Sequence, residues 1–371
     1  MKSTHKILRA LVPLWLTLFS PLSAQSWPIF RGNPGLWGNT ELKVPDTLKL
    51  KWTFKTNDAI ISSAVIKENF IFVGSADNHL YCINLKTGKK IWSFATEEPI
   101  EASPCIGDDE VYIGSTDGFL YALDIKKGTL KWKFKTQDKI IGSANLFRPT
   151  PNAPQHILFG SYDAKIYCLT PEGKLLWDYE TENFINGTPA VDSGRITVGG
   201  CDAKIYVIAA ETGKLIRQIN VENYIAASAA LDGQNIYLGN SGHQFLCANV
   251  NTGKILWTWQ ENKFPILSSP ALTPTQVIFG SRDKSLHCLD RKTGKPIWSF
   301  PTRAKIDSSP VICQNKVIFA SKDGRLYIVN LNDGKKIWSY EIGQPLQATP
   351  AVAENWIIIG SEDGNLYAFA P

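Results

Sequence analysis

The sequence predicts an all-β fold, an eight-bladed β-propeller of four-stranded antiparallel blades whose ring is closed by an N-terminal strand completing the last blade. Three observations carry this. First, one unit recurs eight times, with its glycine step at Gly74, Gly114, Gly160, Gly199, Gly239, Gly280, Ala320 and Gly360, so the gaps are 40, 46, 39, 40, 41, 40 and 40 residues. A period near 40 with strand-type content marks propeller blades. Second, each unit holds four short β-favouring runs parted by turn residues. Third, the eighth unit stops at Pro371 after its third run, while Lys51-Trp52-Thr53-Phe54-Lys55-Thr56 near the start repeats the fourth-run pattern Trp92-Ser93-Phe94-Ala95-Thr96.

The seventh unit shows the elements in order. Its strands are expected over Ser308–Ile312, Lys316–Ser321, Leu326–Asn330 and Lys336–Glu341, each rich in β-branched or aromatic residues. Lys322-Asp323-Gly324 makes the turn between the second and third, and Asn330 through Gly334 the next, with glycine free to take positive φ. A lone four-stranded sheet cannot hide both faces, and stacking sheets around an axis does so.

Trp92, Trp132, Trp177, Trp257, Trp298 and Trp338 each stand four residues after a turn glycine, and Trp52 holds the same place in the N-terminal run. One indole per blade implies one docking socket per blade, each ring burying roughly 150–250 Å² at most. Arg217 takes the tryptophan slot in the fourth unit. Closure follows by counting, because Trp52 precedes Gly74 by 22 residues, as Trp92 precedes Gly114. Sharing one blade between the two ends of the chain removes two free sheet edges. The propeller is therefore expected over residues 47–371.

Ahead of it, Lys2, Lys6 and Arg9 precede an apolar stretch from Ala10 to Phe19 and a small-residue exit at Ser23-Ala24. This reads as a signal peptide over 1–24, too short to span a bilayer as a helix. No cysteine precedes Cys82, so no lipid anchor is expected, and the chain is expected to be an exported, periplasmic or extracellular monomer. A leader over 25–46, with Trp27, Phe30 and Trp37, is expected to pack on one face of the ring. The net charge of +5 falls to about +2 without Lys2, Lys6 and Arg9, which argues against nucleic acid as a partner.

Most recurrent polar residues serve the blade. Cys82, Cys168, Cys247 and Cys288 share a slot filled elsewhere by Ala122, Val207, Ile328 and Ala368, so they read as buried core thiols. There is no Cys-x-x-Cys, and no histidine or cysteine spacing suggests a metal site. The aspartates Asp77, Asp117, Asp163, Asp202, Asp283, Asp323 and Asp363 read as turn residues bonding nearby amides. Ser63, Ser103, Ser143 and Ser309 recur in the same way. No catalytic residue is expected.

Departures from the repeat are the candidate sites. The residue after the aliphatic that opens each first strand should line the channel mouth, and it reads Ile61, Glu101, Ile141, Asn186, Ala226, Leu267, Asp307 and Gln347. Glu101, Asn186, Asp307 and Gln347 are the binding candidates, since oxygen ligands suit a hard cation or a small polar molecule. A six-residue insertion in the third unit supplies Arg148, Pro149, Pro151 and Pro154, a stiff loop fit for recognition.

The run Leu80-Tyr-Cys-Ile-Asn-Leu-Lys-Thr-Gly-Lys-Lys-Ile-Trp92, the run Gly114-Ser-Thr-Asp-Gly-Phe-Leu-Tyr-Ala-Leu-Asp124 and the leader Trp27-Pro-Ile-Phe-Arg-Gly32 resemble the repeat of the quinoprotein, or PQQ-like, propeller superfamily. The resemblance covers nearly the whole chain after the signal segment. It implies two branches. Quinoprotein alcohol dehydrogenases hold pyrroloquinoline quinone and calcium in the ring, using a Glu, an Asn and an Asp, and cover the quinone with a disulfide of adjacent cysteines. This chain has no Cys-Cys pair, and its connections are short. The other branch is non-catalytic and is exemplified by BamB-type outer-membrane assembly factors, which bind protein partners. The reading is therefore an exported, non-enzymatic scaffold with protein partners in the envelope and no cofactor. A quinone- or calcium-dependent oxidoreductase, or a propeller that binds carbohydrate or another small ligand, is the alternative.

Overall fold

A computed structural model describes residues 26–261 and 263–371. The expected signal peptide, residues 1–24, lies outside them, as does Gln25 of the leader. The described residues form eight antiparallel blades and no helix. Numbered in chain order, blades 1 to 8 begin at Val65–Lys67, Cys105–Ile106, Asn145–Phe147, Ala190–Asp192, Ala230–Asp232, Ala271–Leu272, Val311–Cys313 and Ala351–Ala353.

Blade 7 runs Val311–Cys313, Lys316–Ser321, Arg325–Asn330, Lys336–Glu341. The first strand starts three residues later than its β-favouring run because Ser308 and Ser309 bond sideways instead of along the ladder. Ser308 Oγ donates to Ala348 O at 2.9 Å, and Ser309 N–H donates to Thr349 Oγ1 at 3.4 Å. Second and third strands are buried on both faces, as Val317 to Ala320 show, so they read as unbroken apolar runs.

Lys49–Lys55 pairs antiparallel with Asn365–Ala370, placing Trp52 opposite Ala368. Blade 8 thus takes its outer strand from the N-terminal side of the ring and its other three from the C-terminal end.

Three devices join the blades. A Cβ on Gly74 would sit 2.2 Å from Ile100 Cγ2, so the glycine step exists to let the next blade's isoleucine approach. Each repeat aspartate ties its own turn to its own third strand, and Asp77, Asp117, Asp163 and Asp323 also hold the preceding linker. Asp117, for example, accepts from Phe119 N–H at 2.9 Å, Tyr121 O–H at 2.7 Å and Glu97 N–H at 3.2 Å. Tryptophans form the third device. Trp298 Nε1 donates to Leu331 O at 2.9 Å and lies beneath Gly334, whose φ of +69° and lack of Cβ make the lid. Trp52, Trp92, Trp132, Trp177 and Trp257 make the same bond, to Leu85, Ile125, Pro171, Ala210 and Arg291 carbonyls.

The leader winds over the face of the ring that carries the first-to-second-strand turns and touches every blade. Ser26–Trp27 pairs with blade 1. Pro28 O accepts from Ile106 in blade 2 at 2.9 Å, and Pro34 O accepts from Asn145 Nδ2 in blade 3 at 2.8 Å and from Val191 N–H in blade 4 at 2.7 Å. Gly35 O accepts from Leu231 in blade 5 at 2.9 Å and Trp37 O from Leu272 in blade 6 at 2.8 Å. Asn39–Thr40 adds a parallel strand to blade 7, and Lys43 O accepts from Asn355 in blade 8 at 2.8 Å. Two-residue strands carry no local sequence period, because the blade edges they meet supply the order.

Candidate functional site: the channel mouth

The segments that lead into the eight first strands surround a cavity of about 210 Å³ on the ring axis. All eight positions of the mouth slot line it, from Ile61 to Gln347, with leader residue Phe30. The sequence-derived candidates Glu101, Asn186, Asp307 and Gln347 therefore share one cavity, although they come from blades 2, 4, 7 and 8.

Their engagements differ. Asp307 is clamped by Arg282, whose Nε and Nη2 donate to its two oxygens at 2.8 and 3.2 Å, with Lys305 Nζ 3.6 Å away. Both guanidinium contacts use carboxylate oxygens that a cation would need. Asn186 Nδ2 donates to Cys201 Sγ at 3.0 Å. Glu101 and Gln347 are exposed. Among the described residues no three His, Cys, Asp or Glu side chains gather as a metal site.

Deeper in the same cavity is a feature the sequence did not reveal. Ser63, Ser103, Ser143, Thr188, Ser228, Ser269, Ser309 and Thr349 form a closed belt in which each backbone N–H donates to the hydroxyl of the next blade. The N···O distances are 3.0, 3.1, 3.1, 2.8, 3.2, 2.9, 3.4 and, from Thr349 back to Ser63, 2.9 Å. The recurrence of serine was visible; its cross-blade partner was not, because that depends on how one blade is rotated against the next.

The thiols of the shared slot face the tryptophans across the ladder, Cys82 opposite Trp92 and Cys288 opposite Trp298. Burial pushes the Cys82, Cys168 and Cys288 thiols up to about 12, which keeps them protonated and unreactive. Arg217 fills the tryptophan slot of blade 4 with its stem, since a Cβ on Gly253 would lie 2.9 Å from its Cδ. Its Nε is buried without a partner.

The inserted loop lies on the leader's side of the ring, away from the mouth. Arg148 bonds Asp108 Oδ2 at 2.6 Å and Ala153 O at 2.8 Å, which folds the loop on itself. Arg148, Pro149, Pro151 and Pro154 are exposed, and Arg148 and Pro149 border a groove of about 490 Å³ with Pro34 and Trp37.

Exposed large hydrophobic side chains are unevenly spread. Of twelve among the described residues, nine fall between Leu175 and Phe264: Leu175, Leu176, Phe184, Leu215, Ile216, Tyr224, Ile255, Leu256 and Phe264. Six of these start the outer strands of blades 3, 4 and 5. Blades 1, 2 and 6 expose a single aliphatic there, Ile91, Leu130 and Ile297.

The family model described as outer membrane protein assembly factor BamB matches residues 37–258 and again 162–371. No curated protein matches the sequence. Among solved structures, BamB from Moraxella catarrhalis is 17% identical with a TM-score of 0.73, over 88% of this chain and all of its own. Quinohemoprotein alcohol dehydrogenase from Comamonas testosteroni is 14% identical with a TM-score of 0.80, over 93% of this chain and 80% of its own. The computationally designed Ika8 protein is 16% identical with a TM-score of 0.76, over 85% of this chain and 98% of its own. At these identities the likeness is one of fold, and it extends to a BamB, a dehydrogenase and a designed protein alike.

Proposed function

Since the chain belongs to the family of the outer membrane protein assembly factor BamB, we propose that it is an exported, non-enzymatic propeller that presents a rigid protein-binding surface, with partners among outer-membrane or other envelope proteins. The observation that carries this is the gathering of nine of twelve exposed large hydrophobics between residues 175 and 264. Six of them start the outer strands of three adjacent blades, and apolar surface repeated along one rim favours docking there. The outer strands of blades 3 to 5 also present open edges, to which a partner strand can add.

One observation favours a quinone- or calcium-dependent oxidoreductase, namely the meeting of Glu101, Asn186 and Asp307 around one cavity. Against it stand the Arg282 clamp on Asp307 and the 210 Å³ volume, below the range of pockets for cofactor-sized molecules. We therefore assign no cofactor. Incubation of the purified protein with pyrroloquinoline quinone and calcium separates the readings. The expected result is no retained chromophore and no dye-linked alcohol oxidation; a stoichiometric quinone spectrum would overturn the assignment.

A further inference from the structure

The belt hydroxyls have a one-sided hydrogen-bond account. Each oxygen accepts a backbone N–H, and no described residue accepts the hydroxyl proton of any of the eight. The belt residues are more than nine-tenths buried, between 3 and 7% exposed, and all line the axial cavity. Eight hydroxyls therefore line one small space in which no described residue takes their protons, and the oxygens of Glu101, Asn186, Asp307 and Gln347 share the wall above them. Buried donors need partners, and losing one costs about 1–3 kcal/mol.

Arg31, next in sequence to cavity-lining Phe30, is fully buried, with its guanidinium packed on Gly38 behind the cavity wall. Its Nη2 donates to Pro270 O at 2.7 Å, the residue after belt Ser269. Its Nε and Nη1 have no partner, and no carboxylate bonds it among the described residues. Burial lowers its pKa to about 9, the mark of a cation held without a counter-ion. On the cavity wall the charge of Asp307 is offset by Arg282 and Lys305, leaving Glu101 as the wall's other carboxylate. The hub therefore combines convergent donors with an uncompensated positive charge nearby, which selects for a negative ligand.

We propose that the hub binds a small oxyanion, carboxylate or phosphate in chemistry, held by the hydroxyl belt near Arg31. The 210 Å³ would otherwise hold about seven waters at roughly 30 Å³ each, so one such anion fits with water to spare. This site is distinct from the docking flank and stands or falls apart from it.

Calorimetric titration of the full chain tests this, with inorganic phosphate, acetate and sulfate as separate arms at an ionic strength fixed by chloride. One saturable site per chain is expected in at least one arm, and the arm that binds tells phosphate from carboxylate chemistry. Ser103→Ala with Ser269→Ala should weaken it by about tenfold or more, because two charge-assisted donors are lost. Those changes also orphan Ser63 and Ser228 N–H groups, so Glu101→Gln on the exposed wall is the second variant. It leaves the belt intact and should tighten binding several-fold. No saturable heat in any arm, equal affinity in the folded belt variant, or no response to Glu101→Gln would each overturn the assignment.

Discussion

The tryptophan socket sets the energetics at the scale of single residues. Six indoles donate to a carbonyl of the next blade's turn, while Trp338 has no such bond in the described structure and instead packs on Tyr340 and Phe369 at centroid distances of 6.1 and 5.8 Å. Blade 8 has no third-to-fourth-strand turn to offer it, because those strands come from opposite ends of the ring. Trp298→Ala should therefore cost about 3 kcal/mol, the low end for a large aromatic because the ring is half-buried, and Trp338→Ala clearly less. Paired denaturant melts check this; equal losses would show that the carbonyl bond and glycine lid add nothing. The socket positions were legible because a residue repeated at fixed offset must serve the repeat. Arg31 was not, since a single arginine in an aperiodic leader gives no sign of burial.

Compensation across a seam is visible at the scale of the element. Seven blades place a glycine against an isoleucine of the next blade, and a Cβ there would meet Ile Cγ2 at 2.2 to 2.5 Å. Blade 7 has Ala320, and the residue in the isoleucine position is Leu346, which lacks the β-branch methyl. Leu346→Ile should thus destabilise the protein by about 1–3 kcal/mol through overpacking, and Ala320→Gly should restore most of that loss. A double-mutant cycle with no coupling would contradict the contact. The seam of blades 5 and 6 follows the same logic. Trp259 is larger than the Phe at equivalent positions such as Phe300, and His287 is smaller than the tyrosine of other blades. The rings sit 4.7 Å apart, and His287 Nε2 keeps the aspartate contact at 2.8 Å from Asp283. Strand positions in blade 7 could be read from the sequence to within a few residues. The error at Ser308–Pro310 arose because that run spends its hydrogen bonds on neighbouring blades.

The decisive features of the whole molecule are closure and asymmetry. Closure was legible by counting, since a missing fourth run at one end matched a spare run at the other. Removing residues 47–56 should open blade 8, expose the edge of Asn365–Ala370 and lower the melting temperature by many degrees; native stability in that truncation would contradict a shared blade. The leader's girdle around eight blades was only partly legible, because its bonds are long-range and its strands two residues long. Asymmetry was hidden for a different reason. The aliphatic pairs Leu175-Leu176, Leu215-Ile216 and Ile255-Leu256 look like core residues in the sequence, and only the placement of the outer strands shows them facing outward. Site-specific photo-cross-linking in living cells tests the docking flank most directly, with the probe at Ile216 or Leu256 and, as reference, at Ser339 on the outer strand of blade 7. The account predicts a discrete adduct with one envelope protein from the first two positions and none from the third. Adducts absent from Ile216 and Leu256, or equally strong from Ser339, would contradict it.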